Sequence, residues 1–170
     1  MAYPQPNARP PRFRVAPLTE ELAEQLSTWR YEPPFDFYNW TSWQVMLELG
    51  MEFGDPDVRN RQYAAVLDEN GEFVGFAQFF PLLGLTRIGL GLRPDLCDRG
   101  LGVPFVKAIV AEAIRRAPHD EIDLEVHAWN VRAIRTYQRA GFVIADTYGK
   151  QTHTGVVEVY CMCYLPEEGL

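Results

Sequence analysis

Leu18, Leu22, Leu26 and Trp29 recur at helical spacing, which marks one buried face. Thr19 stands at the head of that stripe with Glu20 and Glu21 behind it, so a capped helix is expected through about Thr28. Phe13 to Val15 reads as a short strand before it, and Pro33-Pro34 bars continuation after it. An aromatic loop, Trp29 to Tyr38, leads to a second helix from about Ser42 to Gly50. The pattern then turns to strands at Gln62–Leu67 and Phe73–Phe80, joined through Asp68-Glu69-Asn70-Gly71, whose Asn-Gly step signals a hairpin. Thr86–Leu92 is a further strand, ending at Arg93-Pro94. Helical spacing returns from about Gly102 to Ala117, where Phe105, Ile109, Val110, Ala113 and Ile114 trace one stripe before Pro118. Ile122–His127 reads as a strand and Asn130–Ala140 as a helix closed by Gly141. Phe142–Tyr148 and Val156–Leu165 complete the pattern as a strand pair. The order β-α-α-β-β-β-α-β-α-β-β predicts a mixed α/β sheet with helices packed on it.

The chain has 170 residues, enough for one domain over 12–170. Residues 1–11 carry Pro4, Pro6, Pro10 and Pro11 and read as a flexible tail. No apolar run approaches the roughly 18 residues of a membrane span, and the first residues lack the apolar core of a secretory signal. Three cysteines, two of them in Cys161-Met162-Cys163, make no disulfide framework, so a reducing cytoplasm is expected. That pair is assigned to core packing, with no metal site. The net charge of −7 argues against nucleic acid as a partner. Charge is uneven along the chain. Residues 12–60 balance to −5 and residues 93–116 to +2, which suits either a cationic substrate with an anionic cofactor or uneven surface solvation.

Chemistry concentrates between Ile88 and Phe142. Cys97-Asp98-Arg99-Gly100-Leu101-Gly102-Val103 joins a strand to a helix. Two glycines at a helix start leave backbone N–H groups uncovered, and with the helix dipole these make an anion site, to which Arg99 adds a cation. A simple tight turn fits the same residues. A dinucleotide fingerprint is disfavoured, because Phe105 stands where its third glycine belongs.

These motifs resemble the GNAT acyl-CoA N-acyltransferases. That family holds the coenzyme A pyrophosphate on a loop of pattern Gln/Arg-x-x-Gly-x-Gly/Ala, matched here by residues 97–102 with Cys97 in place of Gln or Arg. Its second hallmark, Asn-x-x-Ala-x-x-x-Tyr-x-x-x-Gly-Phe, is matched by Asn130, Ala133, Tyr137, Gly141 and Phe142. The stretch Leu124-Glu125-Val126-His127-Ala128-Trp129-Asn130 is similar to one in the ribosomal-protein alanine acetyltransferases, where the Glu serves as base and the later Tyr as acid. The resemblance implies a mostly antiparallel sheet of about six to seven strands and acetyl-CoA as cosubstrate, with no metal. It further implies direct acetyl transfer to a primary amine of a small molecule or peptide. Coenzyme A is then expected on Leu90, Gly91, Leu92, Asp98 through Val103, Asn130 and Tyr137. Tyr137 is the implied acid. Glu125, its pKa raised by burial, is the implied base, with His127 as the alternative. Tyr31, Phe35, Asp36 and Tyr38, with Phe37 and Glu32 nearby, are expected to wall the acceptor site, or else to cover the core. A non-catalytic acyl-CoA sensor or scaffold of the same fold is the alternative function. Similar proteins are often dimers, so a homodimer is open, and core packing explains the amphipathic helix 102–117 better than membrane contact does.

Overall fold

The computed structural model describes residues 9–168, so most of the expected Pro-rich tail lies outside the described residues. Seven strands form one sheet in the order β1-β2-β3-β4-β5-β7-β6. They are β1 (Arg14–Pro17), β2 (Tyr63–Leu67), β3 (Phe73–Leu82), β4 (Leu85–Leu92), β5 (Glu121–His127), β6 (Phe142–Thr152) and β7 (Gly155–Tyr164). Every neighbouring pair is antiparallel except β4 and β5. The helices are α1 (Glu20–Ser27), α2 (Trp43–Leu49), α3 (Pro56–Gln62), α4 (Gly102–Arg116) and α5 (Val131–Arg139).

Local chemistry sets the helix starts. Thr19 and Ser42 each accept an N–H of the first turn of α1 and α2. The helix α3 is an addition to the expected order. Asp55 caps it and Pro56 occupies its first position.

Alternation along the strands separates two cores. Ala64 and Val66 of β2, Ala77 and Phe79 of β3, and Ile122, Leu124 and Val126 of β5 pack with Phe105, Val106, Ile109, Val110 and Ala113 of α4 and Ile134 of α5. On the other face Tyr63, Ala65 and Phe73 pack with Ala23 and Leu26 of α1, Met46 of α2, and Phe53. A fully buried side chain of this size is worth about 1.5–3 kcal/mol relative to exposure. This second core ends near β3. The same face of β5 carries Asp123, Glu125 and His127, a polar row of which Asp123 is buried and the other two half-buried.

Cys161 and Cys163 depart from the core-packing expectation. Both are half-buried, while Met162 between them is fully buried in the α4–α5 core. Strand alternation puts the cysteines on the polar face, where the Cys161 thiol donates to Asp123 Oδ2 at 3.3 Å. Among the described residues no helix is long and apolar enough to cross a membrane, and no cluster of His, Cys, Asp and Glu is arranged to hold a metal.

Candidate functional site

The parallel pair is short. Leu85, Thr86 and Arg87 pair with Glu121, Ile122 and Asp123, and the ladder stops there. From Ile88 onward β4 stays paired with β3 while β5 pairs with β7, so the two strands part and open a gap at their carboxyl ends. The amide of Arg93 bonds Val74 O on β3. Antiparallel alternation therefore turns the N–H and C=O groups of Leu92 and Leu90 toward the gap. Gly91 lies between them on the face opposite α4. A Cβ there would sit 2.6 Å from the Phe76 ring and 3.1 Å from the Tyr31 hydroxyl, so this position takes no side chain.

Arg87 rivets the point where the strands part. Its Nε and Nη2 donate to the two oxygens of Asp123 at 2.9 and 2.8 Å, and its Nη1 donates to Glu125 Oε1 at 2.9 Å. Glu125 also accepts from the Tyr148 hydroxyl at 2.8 Å and from Lys150 Nζ at 3.1 Å. The expected rise in its pKa is not what the structure gives. Burial pulls the carboxyl upward, but hydrogen bonds from Tyr148 and Lys150 and the charges of Lys150 and Arg87 hold it below the usual range.

The loop between β4 and α4 leaves its donors free. Asp98 and Gly100 adopt left-handed backbone, φ +61° and +75°. A side chain at Gly100 would meet nothing within 4 Å, so its glycine serves the backbone angle rather than the packing. Leu101 precedes α4 without a capping side chain. Among the described residues, the amides from Asp98 through Val103 donate to no protein acceptor. Arg99 is exposed beside this run. The Asp98 carboxylate is turned to Arg132 of α5, whose Nη1 donates to it at 2.8 Å.

The start of α5 forms the other side of the gap. Asn130 is buried, accepts from the Ala133 amide at 3.3 Å and donates to the Tyr38 hydroxyl at 3.1 Å. Tyr137 is half-buried against Phe142, with ring centroids 6.0 Å apart. Burial and the nearby Tyr38 push its pKa well up, so it keeps its proton at neutral pH.

Residues 31–39 lie across the mouth. Asn39 Oδ1 accepts from the Tyr31 amide at 2.7 Å and ties the segment's two ends together. The Tyr31 hydroxyl donates to Leu92 O at 2.5 Å, one of the groups turned toward the gap. Phe37 lies 4.6 Å from the His127 ring and stacks on His153 at 6.1 Å. Phe35 lies 5.7 Å from Trp129 and 3.9 Å below the Arg132 guanidinium. Tyr31, Phe35 and Tyr38 are thus brought together with the β4–β5 gap. Asp36 and Glu32 are exposed, and among the described residues neither carboxylate is hydrogen-bonded into the groove. His127 Nδ1 accepts from Trp129 Nε1 at 3.1 Å, so in this arrangement the neutral ring carries its proton on Nε2. Burial and the Lys150 charge lower its pKa.

Sequence reasoning passed over Arg87, Trp129, Arg132, Tyr148, Lys150 and His153. Only the Arg132 position, two residues into a capped helix, carried a local hint. Arg87, Tyr148 and Lys150 meet through strand register, and Trp129 and His153 come from the turns that follow β5 and β6. A surface hollow of about 210 Å³ near Val15, Asn60 and Arg116 lies at the far end of α4 from the free amides.

A family model described as the acetyltransferase (GNAT) family matches residues 16–142. Among solved structures, the chain is similar to a spermidine N-acetyltransferase SpeG chimera from Vibrio cholerae and hSSAT. The two are 13% identical with a TM-score of 0.72, over 91% of this chain and 95% of that one. It is similar to AAC(6')-Ib in complex with ribostamycin and coenzyme A, at 22% identity and TM-score 0.64, over 90% and 93% of the two chains. It is also similar to the ribosomal-protein-S18-alanine N-acetyltransferase from Escherichia coli, at 20% identity and TM-score 0.62, over 93% and 98%.

Proposed function

The chain belongs to the acetyltransferase (GNAT) family, and we propose that it moves an acetyl group from acetyl-CoA directly to a primary amine of a small molecule or peptide. The observation that carries this reading is the run of free amides from Asp98 through Val103 opening beside the β4–β5 gap. The residues present suit coenzyme A on that ground. A pyrophosphate requires converging N–H donors at a helix start, and a pantetheine arm requires an unpaired strand edge.

When bound, acetyl-CoA supplies an activated thioester. Asp98 through Val103 would hold its phosphates, and Leu90, Gly91 and Leu92 its arm, bordered by Asn130. An edge N–H of β4 stabilises the negative charge that grows on the carbonyl oxygen during attack. Tyr137, protonated at neutral pH, donates to the departing sulfur. Glu125 takes the amine proton through a water. Its lowered pKa keeps it ionised to draw in an ammonium group, at the cost of weak basicity. His127 is the poorer base here, because Trp129 occupies its Nδ1. Tyr31, Phe35 and Tyr38 wall the acceptor, with Asp36 at the rim. Aromatic faces add attraction for a cation, about 0.5–1 kcal/mol at exposed sites. The domain spans residues 12–170 and works in the cytoplasm, where its cysteines stay reduced.

The test is release of free coenzyme A thiol from acetyl-CoA with spermidine, ribostamycin and peptides bearing a free N-terminus, each hit confirmed by a mass gain of one acetyl group. Release with an amine is the expected result. Acetyl-CoA binding without release for any amine overturns the enzymatic reading in favour of a sensor.

A further inference from the structure

Two charges near the gap are set against their surroundings, one against a helix dipole and the other against the anionic ligand its loop would take. Arg132 is the second residue of α5, near the positive end of the helix dipole. Asp98 places a carboxylate in the loop whose free amides and helix start favour an anionic ligand. In the structure they neutralise each other through the 2.8 Å bond between Arg132 Nη1 and Asp98 Oδ2. The same guanidinium lies over Phe35, its carbon 3.9 Å from the ring centroid. Phe35 opens the 3-10 helix Phe35–Tyr38, and Tyr38 at its other end is held by Asn130. One side chain therefore touches both the phosphate loop and the segment that closes the acceptor side. Its charge is felt at both ends, since it lowers the pKa of Tyr31, Tyr38 and Cys97 against their burial.

We propose that Arg132 is a positioning residue that couples occupation of the phosphate loop to ordering of the acceptor segment 31–39. This rests on the coenzyme A reading of residues 98–103. A pyrophosphate arriving at the free amides repels Asp98 and attracts Arg132. The guanidinium, held between the phosphates and Phe35, then fixes the turn that carries Phe35 and Tyr38. The acyl donor thereby prepares the acceptor wall, and by reciprocity an acceptor tightens the donor by the same factor. Both contacts are exposed. An ion pair of this kind, or a cation over a ring, is worth at most about five-fold each in an equilibrium constant, so the coupling is about three- to ten-fold.

Hydrogen exchange on the full chain, with and without saturating coenzyme A, reads this without any acceptor. In the wild type, coenzyme A should slow exchange in 98–103 and also, by about three- to ten-fold, in 31–39. In Arg132→Gln the slowing in 98–103 should persist at saturation while that in 31–39 disappears. Arg132→Lys keeps the charge for Asp98 but lacks the planar face for Phe35. It should return coenzyme A affinity to within about two-fold of wild type without returning the slowing in 31–39. Wild-type slowing of 31–39 in Arg132→Gln, or none in the wild type when 98–103 is protected, overturns the coupling alone. No protection of 98–103 at any coenzyme A concentration overturns the coenzyme A reading and the coupling with it.

Discussion

Arg87→Met removes the fork that closes the last paired rung between β4 and β5. Asp123, whose side chain is 5% exposed, then keeps only the Cys161 thiol, a weak donor at 3.3 Å. Stranding one member of a buried pair costs about 3–5 kcal/mol. Arg87 itself is 31% exposed, so water reaches one side of the pair and the cost drops to the floor of that range or just below it, about 2–3 kcal/mol. In a chain of this size each kcal/mol moves the melting temperature by about 2–4 °C, which gives a fall of about 4–12 °C. Thermal unfolding followed by circular dichroism measures it. If the cost is the stranded charge, Asp123→Asn added to Arg87→Met should recover at least about half of the loss. A single variant melting within about 2 °C of wild type, or a double variant falling by the sum of the two singles, refutes the reasoning.

Tyr137→Phe keeps the ring against Phe142 and loses only the proton donor. Turnover should fall about a hundred-fold while the coenzyme A Kd by calorimetry stays within about two-fold, and unchanged turnover removes Tyr137 from the mechanism. Gly100→Val forces a β-branched residue toward φ +75°. The strain of at least about 1–2 kcal/mol should tilt the free amides and weaken coenzyme A binding about ten-fold or more, and a wild-type Kd would sink the loop assignment. Lys150→Met removes a charge that lowers the pKa of both Glu125 and His127. A carboxylate held below its usual range stays ionised as pH falls, so losing Lys150 lets it protonate sooner. The acid limb of kcat/KM, measured with the amine that the release panel identifies, should move to higher pH, and an unmoved limb removes Glu125 from the proton path.

Elements whose signal is local were legible in the chain. The stripe from Phe105 to Ile114 marked α4, although Ile114 at its end proves exposed, and Asn130 and Gly141 bracketed α5. The helix α3 was not, because Val58 is its one aliphatic residue and no stripe forms; its signal was the Asp55-Pro56 cap. The strand β6 runs on to Thr152 through Gly149, Lys150 and Gln151, which carry no apolar alternation, because β7 pairs with it to the turn. The site divides the same way. The amide run and the Asn130 and Tyr137 positions sit in contiguous motifs. Glu125 sat in one too, yet its pKa depends on Arg87, Tyr148 and Lys150, from β4 and β6. Those neighbours arrive only through the register β4-β5-β7-β6, so burial without them gave the wrong sign.

The parallel pair β4–β5 explains why the two motifs come to one place. In an antiparallel pair, helices following the two strands would start at opposite ends of the sheet. Strands β4 and β5 run the same way, so α4 and α5 both begin at the carboxyl ends, on either side of the gap. The sequence then makes the two helix starts unequal. Asn130 caps α5 with its side-chain Oδ1 and uses its side-chain Nδ2 to hold Tyr38. The start of α4 has no cap, and Pro104 in its first turn brings no N–H of its own. The unsatisfied donors therefore gather at residues 98–103, where the proposed reading puts the pyrophosphate, while α5 is left to hold residues 31–39, which the same reading makes the acceptor wall.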